Sequence, residues 1–170
     1  FAQASPGLIL IEATGVVPEG RITPGCPGLY SDACEEAFAR IVGVMRSFGT
    51  SKIGIQLAHA GRKASTAAPW DGAGEVTDEE GWQVVGPSAV PYLPAWRTPH
   101  AMTVEDIEAL KQAYVDATHR AESIGLDVIE VHAAHGYLLH QFLSPLSNQR
   151  DDRYGGSLEN RMRLPLEVFE

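Results

Sequence analysis

Two histidines and a tyrosine that lie close together are the residues of this sequence best suited to chemistry. His132 and His135 are three residues apart, and Tyr137 follows two residues later. Two imidazole N–H groups can donate hydrogen bonds to one ligand oxygen and so polarise a conjugated carbonyl or nitro group. A tyrosine with an ordinary pKa of about 10 keeps its proton at neutral pH and can act as a general acid. These side chains suit the reduction of an activated C=C bond.

Metal binding is the competing chemistry for the same stretch, which also contains Glu130 and His140. Histidine and glutamate are zinc ligands, so a metal-dependent barrel hydrolase is a second interpretation. The spacing fits poorly, because a zincin helix needs two histidines four residues apart with a glutamate beside the first. Here Ala133 and Ala134 separate the pair, and we predict no metal site.

The element that positions the histidines is a predicted strand at residues 127–132 (DVIEVH). Apolar runs at residues 8–13 (LILIEA) and 52–57 (KIGIQL) are predicted to be buried parallel strands. Because side chains alternate along a strand, the late polar residues of all three share one face. They are Glu12, Gln56, Glu130 and His132. Polar groups that converge at the carboxyl ends of parallel strands are typical of the mouth of a (β/α)8 barrel.

Helices are predicted between these strands. Asp32 with Glu35 and Thr103 with Asp106 resemble capping boxes, and an apolar stripe at helical spacing follows each. Ser157 is predicted to cap a third helix. Alternating strands and helices predict an α/β fold, either a doubly wound sheet or a (β/α)8 TIM barrel. No Gly-x-Gly-x-x-Gly motif opens a helix, which disfavours a dinucleotide-binding doubly wound sheet.

Residues 61–102 are rich in glycine and proline and predict an irregular insertion. Three tryptophans, at positions 70, 82 and 96, indicate a packed segment, and we predict a lid or hairpin over the site. A barrel needs roughly 250 residues and eight strands, whereas this chain shows about three strands and three helices. We therefore predict that residues 1–170 are one partial barrel domain whose N- and C-terminal parts are absent.

Composition excludes several other classes of protein. The chain has 44% apolar and 21% charged residues and a net charge of −9, which disfavours binding to nucleic acid or to an anionic membrane surface. No apolar run is long enough to span a membrane. Cys26 and Cys34 are predicted to be free thiols in a reducing compartment, so we expect a cytoplasmic protein. The chain begins with Phe1 rather than Met, which we take as a sign of truncation.

The same stretch closely resembles the signature of the old yellow enzyme family of FMN-dependent NADPH oxidoreductases. The matching residues are His132, His135, Gly136, Tyr137, Leu138, QFLSP at 141–145, Asn148, Arg150, Asp152 and YGGSLENR at 154–161. PEGRI at 18–22 and QLAHAGRK at 56–63 also match, so the resemblance covers essentially the whole chain. The two-histidine pair and the AHAGRK segment are most similar to the bacterial xenobiotic-reductase and YqjM-like branch.

The resemblance implies an FMN-binding (β/α)8 barrel that takes electrons from NADPH or NADH. Reduced FMN would pass hydride to the β-carbon of a small α,β-unsaturated carbonyl or nitro compound. Ala13 would approach the flavin through its backbone, and Gln56 would hydrogen-bond the pyrimidine edge of the ring. His132 and His135 would hold the substrate oxygen, and Tyr137 would protonate the α-carbon or help to position the ligand.

Parts of such a site would lie outside this chain. In the family, flavin-tuning residues would precede residue 1 and a phosphate-binding arginine would follow residue 170. We therefore expect the isolated chain to be inactive and not to retain FMN. Two further interpretations stay open, namely a 2,4-dienoyl-CoA reductase-type relative with an iron–sulfur cluster and an inactive fragment. Homo-oligomerisation of the full-length protein also stays open.

The remaining ionisable residues have less specific interpretations. Arg62 and Lys63 follow the second strand, where they would contact either a ligand or only the lid. The others are predicted to be structural: Arg150, Asp152, Arg153 and Arg161 bracing the loop before the last helix, and His59, His100, His119 and His140 at the surface or in packing positions.

Overall fold

The structure is a computed structural model that describes residue 4, residues 6–77 and residues 79–170. Its strands and helices alternate along most of the chain. In chain order they are β1 (Leu8–Gly15), α1 (Asp32–Phe48), β2 (Lys52–Ala58), β3 (Val85–Gly86), β4 (His100–Ala101), α2 (Val104–Ser123), β5 (Val128–Val131), α3 (Leu138–Leu143) and α4 (Leu158–Phe169). The three strands and three longer helices predicted from the sequence are therefore confirmed.

A parallel sheet with the strand order β1-β2-β5 forms the centre of the molecule. Ile11 pairs with Ile55 and Ile55 with Ile129, and the register of β1 against β2 shifts between Ile11 and Thr14. Residues 53, 55 and 57 of β2 are at most 1% exposed, because they face the helices. This apolar face packs on α2, α3 and α4 in one core cluster. The apolar runs at residues 8–13 and 52–57 predicted parallel strands packed against helices, and the structure confirms this.

The other face of the sheet is open. Leu8 and Leu10 are 44% and 43% exposed, and Val128 is 39% exposed. Their neighbours Ile9 and Ile11 are less exposed, which confirms the predicted alternation of β1. In a closed barrel this open face would be the inner one, and the remaining strands would cover it.

The two long helices begin with different caps. The capping box of Thr103 and Asp106 at α2 is confirmed, since each side chain bonds the other's backbone N–H at 3.1 and 2.8 Å. The prediction for α1 is wrong by one residue. Ser31 is the N-cap, and its Oγ accepts a hydrogen bond from the backbone of Cys34. Glu35 instead bonds Arg120 at 2.6 Å and so links α1 to α2.

The segment between β2 and α2 is irregular, as predicted, and its two short strands do not form a hairpin with each other. β3 and β4 pair in parallel, and parallel strands cannot be joined by a tight turn. Trp82 donates its indole N–H to the carbonyl oxygen of Glu19, and Trp96 packs edge-on against Tyr92. Trp70 is 85% exposed, so packing holds for two of the three tryptophans. Position 78 of the predicted insertion lies outside the described residues, and the lid function and domain bounds stay predictions.

The loop after β5 contains α3, which the sequence did not predict. Leu138, Leu139 and Phe142 of this short helix are at most 1% exposed, so they are buried on several sides and give no helical stripe. Of the residues predicted to brace this loop against the last helix, Arg161 does so from α4, whereas the side chains of Arg150 and Arg153 bond elsewhere. Arg150 pairs with Asp152, Arg153 bonds Glu108 and Arg161 bonds the carbonyl oxygen of Leu143.

Two further findings concern the cysteines and the membrane. Cys26 and Cys34 are both free thiols, as predicted. Within the described ranges, every helix is too short or too polar to cross a membrane.

His59, at the end of β2, gives the fold a pH dependence. Its side chain is 3% exposed, and its Nδ1 accepts a hydrogen bond from the backbone N–H of Gly61 at 3.0 Å. Burial lowers the pKa of His59 to about 4. An unfolded chain has a histidine pKa of about 6.5, so on acidification the unfolded state takes up this proton first. This difference should reduce the free energy of unfolding by about 3 kcal/mol between about pH 6.5 and pH 4.

The variant His59→Asn tests this prediction, because it keeps an acceptor near the Nδ1 position and cannot be protonated in this range. Urea unfolding of the complete protein at neutral pH and at about pH 4 measures how much free energy of unfolding the wild type and the variant each lose on acidification. We expect a smaller loss in the variant. An equal loss in both forms would show that His59 does not cause the acid sensitivity.

Candidate active site

His132 is fixed at the carboxyl end of β5. Its backbone N–H donates to the carbonyl oxygen of Leu57 at 2.9 Å, and its side chain is 7% exposed. The ring Nδ1 accepts a hydrogen bond from the backbone of Ala134 at 3.2 Å. A neutral His132 therefore carries its proton on Nε2. This nitrogen lies 3.3 Å from Nδ1 of His135.

His135 reaches that position through a left-handed turn. Its φ is 57° and that of Gly136 is 75°. The turn brings the two imidazole centroids within 5.1 Å. If His132 donates through Nε2, a neutral His135 accepts at Nδ1 and carries its own proton on Nε2. In this arrangement the contact between the two rings uses the N–H of His132 and leaves the Nε2–H of His135 available to a ligand. Donation by both rings to one ligand stays a prediction.

Electrostatics keep the His132 ring neutral. Burial lowers the pKa of His132 below its ordinary value, and the neighbouring His135 acts in the same direction while Glu130 opposes it. A ring that is neutral at neutral pH serves as a hydrogen-bond donor rather than as a fixed cation.

Tyr137 completes the group. Its ring centroid lies 4.9 Å from that of His132, with the planes at 78°. Burial raises the pKa of Tyr137, and nearby Cys26 and Tyr92 act in the same direction. The phenol is thus protonated at neutral pH, as a general acid must be. His132 therefore contacts both of the other predicted catalytic residues, His135 and Tyr137.

The two predicted cofactor residues lie on the neighbouring strands. Gln56 is paired with Glu130 across β2 and β5, and its amide Nε2 donates to the Glu130 carboxylate at 2.7 Å. This bond leaves the Gln56 carbonyl oxygen as the acceptor it can offer a ligand. Ala13 is half-buried near the end of β1. The structure thus places Ala13 and Gln56 on the sheet beside the histidine pair, without showing what they bind.

Lys63 belongs to this group, although its sequence position left its role open. Its ammonium donates to the carbonyl oxygen of His135 at 2.9 Å. It also lies over the rings of Tyr137 and Tyr92, at 4.8 and 5.1 Å from their centroids. Tyr92 could not be predicted from the sequence, because it lies in an irregular segment where no periodicity shows which side chains face the site.

Arg62 serves the irregular segment instead. Its guanidinium donates to the carbonyl oxygens of Val90 and Pro91 at 3.1 and 3.3 Å. Its backbone N–H bonds the side chain of Gln141. These contacts hold residues 90–91 against the end of β2.

A cavity of about 910 Å³ adjoins the site on the β1 side. Its walls come from residues 22–27 and from the irregular segment, and include Glu12, Cys26, Trp70 and Glu75. The histidine pair does not line it. The described residues contain no group of three or more His, Cys, Asp or Glu side chains placed to hold a metal ion.

The sequence of the chain is similar to those of known flavin oxidoreductases. Residues 2–170 match the model of the NADH:flavin oxidoreductase / NADH oxidase family. The chain is 51% identical to an NADH:flavin oxidoreductase of Gibberella zeae, covering 99% of this chain and 42% of that protein. It is 46% identical to an NADPH dehydrogenase of Bacillus subtilis, covering 96% of this chain and 44% of that protein. The chain therefore spans less than half the length of these relatives.

Solved structures show the same relationship. Morphinone reductase superposes with a TM-score of 0.85 at 35% identity, over 99% of this chain and 46% of that one. An Old Yellow Enzyme from Pichia sp. AKU4542 gives 0.84 at 37% identity, over 98% of this chain and 44% of that one.

Proposed function

Because the chain belongs to the NADH:flavin oxidoreductase / NADH oxidase family and forms part of a (β/α)8 barrel, we propose that the protein carrying it is an FMN-dependent ene-reductase. NADPH or NADH is the reductant, and small α,β-unsaturated carbonyl or nitro compounds are the substrates. The observation that supports this proposal is that His132, at the end of β5, contacts both His135 and Tyr137. A metal-dependent hydrolase, the rival interpretation, does not agree with the family.

The residues present fit the flavin that the family implies. Gln56 is held by Glu130 so that its carbonyl oxygen is free to accept from a ring N–H. Ala13 has a short side chain beside it on β1, which leaves the backbone open to close approach. Gln56 and Ala13 would hold the ring, and bound FMN supplies the hydride.

The histidine pair binds and polarises the substrate oxygen. The His132 ring contacts the His135 ring through Nε2, which leaves the His135 Nε2–H for a ligand oxygen, and burial keeps His132 uncharged. Neutral N–H donors that are already in place stabilise negative charge as it develops on a carbonyl or nitro oxygen. His135 presents its Nε2–H first, and His132 supports it through the bond between the rings.

Tyr137 supplies the proton. Its hydroxyl keeps the proton at neutral pH because burial raises its pKa, so the group is ready to protonate the α-carbon. The ring is held against His132, so the proposed proton donor and the proposed oxygen-binding group share one strand end.

The absorbance spectrum of the complete, purified protein tests this function. We expect flavin bands that bleach when NADPH is added without oxygen and return when an enone such as cyclohexenone follows. Loss of reoxidation by the enone, with intact bleaching, would restrict the proposal to an NADPH dehydrogenase. A protein without flavin bands would contradict it. The cytoplasmic location expected from the sequence stays a prediction, and homo-oligomerisation of the full-length protein stays open.

A further inference from the structure

We propose that Lys63 is a positioning residue of this site: it holds the left-handed turn at His135 and Gly136 and thereby keeps the His135 imidazole against His132. The inference rests on the proposed function and adds a residue to it. Lys63 does not touch the reacting atoms in this role. It acts through the backbone that carries the second histidine.

The turn needs such support because its backbone conformation is unfavourable. His135 has a φ of 57°, a region that side chains other than glycine rarely occupy. In the common extended or helical conformations, the chain would leave β5 in another direction. The His135 imidazole would then lose its 3.3 Å contact with His132.

Three side chains hold the turn through hydrogen bonds. His140 accepts from the backbone N–H of Gly136 at 2.8 Å, and Gln141 donates to its carbonyl oxygen at 2.7 Å. Both belong to α3, which follows the turn directly. Lys63 donates to the carbonyl oxygen of His135 at 2.9 Å across 72 residues of sequence. Its bond therefore ties the turn to the end of β2.

The ammonium group itself is held in place. It lies 4.8 Å from the centroid of the Tyr137 ring and 5.1 Å from that of Tyr92. Aromatic faces attract a cation at these distances. The lysine stem also runs beside Gly136, where an added Cβ would meet the Lys63 Cδ at 3.6 Å. Lys63 is thus fixed by the proton donor on one side and by the irregular segment on the other.

The charge of Lys63 has a second effect on the same pair. Burial, His135 and Lys63 all lower the pKa of His132, and Glu130 raises it. Loss of the lysine removes one of the influences that keep the ring neutral. The pH midpoint of His132 should therefore rise in a variant without the ammonium, which a purely structural role would not produce.

The test compares Lys63→Met with Lys63→Arg in the complete, FMN-loaded protein. Arginine keeps a cationic donor, whereas methionine keeps only the stem. Lys111→Met is the matched control, since its ammonium pairs with Glu108 and Glu167 on α2 and α4. Binding of para-hydroxybenzaldehyde is followed by the change in the flavin spectrum, and the His132 midpoint by NMR of its ring protons.

We expect phenol binding about 10-fold weaker in Lys63→Met, within about 3-fold of wild type in Lys63→Arg, and unchanged in Lys111→Met. The His132 midpoint should move to higher pH in Lys63→Met alone. Lys63→Leu, which also lacks a donor, takes the place of the methionine variant if the latter does not retain FMN, with the same expectations.

Wild-type affinity and an unmoved midpoint in Lys63→Met would overturn the inference. So would equal losses in Lys111→Met, or an arginine variant no better than the methionine one. Failure of the proposed function would look different, because the wild-type protein itself would then bind no FMN or no phenol.

Discussion

Replacement of His135 by alanine should weaken the binding of phenolic ligands and enones by about 10²-fold while FMN stays bound. The reason is that His135 offers the N–H not used in the contact between the two rings. A ligand oxygen that loses the hydrogen bond from His135 also loses the effect of His132, which acts on the ligand through its bond to His135. Ligand affinity is measured by spectral titration of the flavin, and FMN content by its absorbance after denaturation.

His119→Ala is the matched control for this variant. His119 is on α2, where its side chain is 71% exposed, so the same imidazole is removed far from the site. We expect wild-type affinity in the control. Loss of FMN with unchanged ligand affinity in the His135 variant would show that the imidazole faces the cofactor instead.

Tyr137→Phe completes the series by separating binding from turnover. The ring and its contact with His132 remain, and only the hydroxyl proton is lost. Turnover of an enone should fall by about 10²-fold with a much smaller change in affinity. An unchanged turnover number would remove Tyr137 from the role of proton donor.

The second large effect concerns the 170-residue chain by itself, which should not hold FMN at one-to-one occupancy. Its central sheet has three strands, whereas a closed barrel has eight and holds phosphate in the loops after strands seven and eight. The open face carries apolar residues such as Leu8 and Leu10, which are 44% and 43% exposed. Within the described residues, this three-stranded sheet lacks the loops that hold phosphate in a closed barrel.

Gel filtration of the chain after incubation with excess FMN provides the measurement. We expect flavin to elute separately from the protein, and the chain to associate through its exposed apolar face. The complete protein, treated in the same way, is the control that should retain flavin. A soluble monomer of the isolated chain with a stoichiometric flavin spectrum would contradict this prediction.

Much of the fold could be predicted because periodic segments carry their own signal. Ile53, Ile55 and Leu57 alternate as a strand facing helices must, and the apolar residues of α2 recur at helical spacing. β3 and β4 could not be found this way, since two residues each show no period. The start of α1 was missed by one residue because Ser31 and Asp32 are both good caps, and only the bond to Cys34 distinguishes them.

Some residues of the candidate site could likewise be predicted from a local pattern in the sequence, and others could not. His132, His135 and Tyr137 could be grouped from the sequence because one strand end and one turn carry all three. Lys63 and Tyr92 join them only through folding, since the contact of Lys63 with His135 spans 72 residues. No local pattern marks such a contact.

The left-handed backbone at residue 135 also decides which amino acids a saturation library could return there. With φ at 57°, β-branched residues such as valine, isoleucine and threonine are selected against whatever their chemistry. Glycine, aspartate and asparagine tolerate the conformation, and of these only asparagine also offers a side-chain N–H. Few amino acids are therefore available for changing substrate preference at this position, and His135→Asn is the first substitution to make.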